Sequence, residues 1–62
     1  MTPEERTHAD ETIRSLDDAR DELLDALHHL HEMGRTDCQS QVWEAYKATS
    51  QVWYKLRMEY IA

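Results

Sequence analysis

From Ala9 onward apolar side chains return in alternating steps of four and three, through Ile13, Leu16, Leu23, Leu27 and Leu30. Arg20 stands where one further apolar residue would complete the series. The rhythm stops at Gly34, the only glycine, and resumes as Cys38, Val42, Ala45, Thr49, Val52 and Leu56. A repeat near 3.5 residues is the seam of a helix that lies along another helix. Two such seams with one glycine between them leave a 62-residue chain little choice but a helical hairpin.

Start and stop signals agree with that spacing. Thr2-Pro3-Glu4-Glu5 reads as a capping box with proline at the first helical position. Gly34 can take the left-handed conformation that closes a helix, and Thr36 with Gln39, or Asp37 alone, can cap the next. The expectation is an all-α antiparallel helical hairpin in a single domain over 1–62, dimerising into a four-helix bundle. Helix 1 is expected over about residues 3–33, the turn over 34–36 and helix 2 over about 37–61. A second start at Ser15 is disfavoured because the apolar rhythm passes through it without slipping. Folding back at Gly34 pairs residues whose numbers sum to about 69. Leu27 then meets Val42, Leu23 meets Ala45 and Tyr46, and Leu16 meets Val52 and Trp53.

Arg20 falls opposite Thr49, so the polar exceptions of the two seams coincide. Either the Arg20 head escapes toward Asp17 or Asp21 while its stem lies along the seam, or the pair forms a polar layer that fixes register and partner number. Under the second reading Arg20→Leu should raise thermal stability.

The tripeptide Gln-Val-Trp occurs at residues 41–43 and again at residues 51–53. Positions ten apart differ by about 80° around a helix, so the copies cannot share an environment. Trp53 falls in the seam and Trp43 beside it. Trp43, Lys47, Tyr54, Arg57 and Ile61 make a second stripe that one partner helix cannot cover. Ala19 and Ala26 widen the apolar arc of helix 1, where small side chains admit a close neighbour. These seven residues are the expected interface, either with a second copy or with another protein.

Charge divides the chain. Residues 1–33 carry ten acids against three arginines, whereas residues 34–62 carry three acids against four bases. An acidic first half repels nucleic acid and anionic lipid, and no apolar run is long enough to span a membrane. The single Cys38 excludes an intrachain disulfide. The expected product is therefore complete, soluble and cytoplasmic, with no cofactor and no membrane or nucleic-acid partner.

The densest group of metal-ligand residue types is His28, His31, Glu32 and Cys38 near the turn. Only His31 lies near the inner edge, and a tight site needs three or four converging ligands. These four are weak candidates, and no metal is expected. Nor does any nucleophile stand at helical spacing from a base with an orienting third group, so catalysis is not expected.

In length and hairpin plan the chain resembles the Rop family of small plasmid regulators. The resemblance implies a dimer of hairpins that binds paired RNA loops through a polar, basic helix face. Helix 1 is acidic here, so that activity stands as the alternative. The leading expectation is a non-enzymatic interaction or regulatory protein, a small phage or plasmid accessory protein, acting as a homodimer on an unidentified protein partner.

Overall fold

The computed structural model describes residues 2–60. Within them α1 runs Pro3–Glu32 and α2 runs Thr36–Tyr60, packed against each other as a hairpin. Both ends of α1 and the start of α2 fall within about one residue of the expected bounds, the ordinary scatter of helix termini, and the expected end of helix 2 at about residue 61 lies outside the described residues. α1 continues unbroken through Ser15.

Local chemistry accounts for the ends. The Thr2 hydroxyl accepts from the Glu5 amide at 3.1 Å, satisfying one of the orphan donors of the first turn. At the other end Gly34 adopts φ +72°. Its amide donates to the His31 carbonyl, and the Arg35 amide donates to the Leu30 carbonyl, both at 3.0 Å. This is a Schellman closure, and the positive φ at its centre is why glycine stands there. α2 begins differently from expectation. Neither Thr36 nor Asp37 precedes the helix as its cap, because Thr36 is already helical. Arg35 instead grips the Asp37 carboxylate with two bonds of 3.1 and 3.0 Å, holding a negative charge in the first turn of α2.

The hairpin is a rod of 47 × 14 × 14 Å between Cα extremes. Its radius of gyration of 14.3 Å exceeds the roughly 10.6 Å of a compact chain this long. Its accessible surface of 4799 Å² likewise exceeds the roughly 4,200 Å² of a compact monomer of this mass. Among the described residues only Ala9 and Ile13 are buried apolar residues, both on α1, and α2 has no buried residue.

The α1 seam lies where the spacing puts it: Ala9, Ile13, Leu16, Arg20, Leu23, Leu27 and Leu30 are all buried or half-buried. The α2 seam does not. Ala45 and Val52 are exposed, Val52 by 50%. Tyr46, Trp53 and Tyr60 turn inward instead, with Val42, Thr49 and Leu56. The inward face of α2 is thus rotated by roughly 50° from the aliphatic seam. The physical reason is area. An aromatic ring removes far more surface from water than alanine or valine, so the helix turns to shelter its rings.

Candidate functional site

The rotation assembles a chain of rings and guanidiniums along one flank of the hairpin. Trp43 stacks on Tyr46, one turn further along α2, with ring centroids 5.2 Å apart and planes 15° apart. Arg20 crosses from α1 to meet them. Its Nη2 donates to the Tyr46 hydroxyl at 3.3 Å and its Nε to the Ser50 hydroxyl at 3.0 Å. The same guanidinium carbon lies 4.5 Å from the Trp53 ring centroid and 5.5 Å from that of Tyr46. Arg57, one turn past Trp53, places its own guanidinium carbon 5.0 Å from the same indole. The Trp53 Nε1 is buried with no hydrogen-bond partner, so cations and packing hold this ring.

Arg20 contacts groups both on its own helix and across the seam. Its head does reach Asp17, at 3.6 Å, and its side chain is 25% exposed. It also forms a polar crossing of the seam, but with Ser50 and Tyr46 as hydrogen-bond partners rather than Thr49. The shift follows from the rotation of α2, which carries Ser50 toward Arg20 and leaves Thr49 nearer the middle of the interhelical face.

The expected interface residues separate onto two sides of the rod. In an antiparallel pair, flanks turned in the same angular sense share a side, and the Arg20–Ser50 bond identifies one of them. Trp43, Lys47, Tyr54 and Arg57 lie at about +60° to +140° from Val42, on that side. Ala19 and Ala26, half-buried on α1, lie at about −80° and −100° from Leu27, on the other side. One flat contact cannot use both groups. Ile61 lies outside the described residues. Trp43 is 46% exposed and Tyr54 62% exposed. Lys47 is tied to Glu44 at 2.9 Å, an exposed pair within one helix turn. Arg57 covers the Trp53 ring. Leu24 of α1, 44% exposed, belongs to the aromatic side. Its place was readable from its offset of about 60° from Leu27, as was the Trp43–Tyr46 pairing from its i, i+3 spacing.

Near the turn, His28, His31 and Glu32 are exposed and Cys38 is half-buried. The Cys38 sulfur accepts from Arg35 at 3.3 Å. Among the described residues no three His, Cys, Asp or Glu side chains converge in a way that could hold a metal ion. Asp37 has its carboxyl held below the ordinary carboxylate range, first by the Arg35 guanidinium and then by the Cys38 amide. Among the described residues no helix is long and apolar enough to cross a membrane.

No family model matches the chain, and no curated protein or solved structure is found to be similar to it.

Proposed function

We propose that this chain is a non-enzymatic interaction or regulatory protein of the cytoplasm, working as a homodimer of helical hairpins. The observation that carries the reading is the imbalance of the rod: two buried apolar residues set against exposed Leu24, Trp43, Val52, Tyr54 and Met58. A pair of helices has one shared face, and α2 has more apolar circumference than that face can hide. A second copy covering the Trp43 side turns the hairpin into a four-helix bundle. The opposite side, with Ala19, Ala26 and Val52, is then the surface left for a client protein. A small accessory protein of phage or plasmid type suits this design. Binding to structured RNA, the alternative, would need cations on a helix that carries ten acids.

The test is analytical ultracentrifugation over a wide concentration range, run on the parent chain and on Trp43→Ala. The parent should sediment as a dimer. Removing an aromatic anchor typically costs about 2 kcal/mol or more, and a symmetric dimer loses one from each copy, so the variant should need roughly a thousandfold more protein to associate. A parent chain that remains a folded monomer at every concentration refutes the proposal. Retarded migration of structured RNA at moderate salt would favour the alternative.

A further inference from the structure

The dimer reading leaves open how the second copy is laid on the first, and the charge pattern of the Trp43 side decides it. On α1 this side carries Asp10, Arg14, Asp17, Asp21, Leu24 and His28, with Arg6 before them and Glu32 after, at about +60° to +140° from Leu27. On α2 it carries Trp43, Lys47, Ser50, Tyr54 and Arg57. The first stripe sets four acids against two arginines, with an apolar step at Leu24, whereas the other is aromatic with two cations. Both repeat in steps of four and three, from Asp10 through Arg14 to His28 and from Trp43 to Arg57.

We propose, resting on the homodimer reading, that two copies lie side by side with both turns at the same end, so that α2 of each packs on α1 of the other. A two-fold axis parallel to the rod keeps every residue at its own height. The register of the hairpin then repeats between copies. Lys47 comes level with the second copy's Asp21, Arg57 with its Asp10, and Trp43 with its Leu24 and His28. With the turns at opposite ends, α1 would instead lie beside α1 and α2 beside α2, which at mid-rod sets Asp17 against its own copy and Lys47 against Arg57. The size is adequate. A face 47 Å long and roughly 20 Å wide, the width of two helices, covers about 900 Å² per copy. A stable interface needs about 800 Å² per partner.

The arrangement is tested by pulsed dipolar spectroscopy on a Cys38→Ser chain bearing Glu32→Cys with a nitroxide label. Glu32 is exposed at the turn end of α1. Turns at the same end put the two labels about 30 Å apart or less, the spacing of diagonal helices in a bundle plus two outward linkers. Turns at opposite ends put them roughly 45 Å apart, since Glu32 lies about fifteen residues from the middle of α1 at about 1.5 Å each. The short distance supports the proposal. The long distance overturns the arrangement and leaves the dimer standing. No dipolar coupling in a sample that sediments as a monomer overturns the dimer as well, and no coupling in a sample that sediments as a dimer puts the labels beyond range and overturns the arrangement.

Discussion

Arg20→Met should lower the melting temperature, although Arg20 interrupts an otherwise apolar seam. Methionine keeps an unbranched stem against Trp53 and removes the charge. Three contributions disappear with it. The guanidinium lies 4.5 Å from the indole centroid, an attraction of about 1 kcal/mol at a partly exposed site. Its hydrogen bonds to Ser50 and Tyr46 are each worth about 1 kcal/mol net. The Asp17 pair at 3.6 Å adds little, being between partly exposed groups. Against these, the sulfur and methyl group gain roughly 1 kcal/mol by covering the ring. The balance is a loss of about 1–2 kcal/mol. For a chain this short, unfolding entropy near 2.1 cal/mol/K per residue converts that into a fall of roughly 8–15 °C. The assay is a circular-dichroism melt of both chains at one fixed protomer concentration, since dimerisation makes the midpoint concentration-dependent. A melting temperature equal to or above the parent's would refute the reasoning. It would mean that Arg20 is a costly polar intrusion, as the seam pattern alone suggests.

Three further outcomes are expected. Gly34→Ala meets no atom within 4 Å of the new Cβ, so its whole cost is the positive φ. That cost of about 1 kcal/mol should lower the melting temperature by roughly 8 °C, and Gly34→Asn should lose less. Asp37 has a lowered carboxyl pKa in the folded chain, so its pairing contributes stability above the ordinary carboxylate range and loses it as pH falls through the folded value. A carbon-detected NMR titration should find the Asp37 midpoint below that of an unfolded peptide, with Arg35→Ala removing most of the difference. Stoichiometric zinc should leave the melt unchanged, because no three candidate ligands converge among the described residues. A clear rise in melting temperature would show a site formed between copies.

Much of the architecture is legible in the sequence because its signals are local. Thr2 and Pro3 mark a start, Gly34 marks a stop, and the spacing from Ala9 to Leu30 names the inner face of α1 without reference to anything else. The off-seam position of Trp43 follows from helix geometry alone. The candidate surface is less legible. Listing Ala19 and Ala26 with Trp43 treats apolar arcs as if they were one, whereas the side of the rod each belongs to depends on how the two helices face each other.

Sequence by itself therefore determined two helices, their turn and the approximate register, since capping, left-handed glycine and heptad spacing act over a few residues. Only the packing decided the rotation of α2. Ala45 and Val52 keep the heptad, but Tyr46, Trp53 and Tyr60 have the larger surface, and a helix with one neighbour gives that neighbour its rings. The same turn handed Arg20 to Ser50 and Tyr46, and set Trp43 and Tyr54 together on one outer flank.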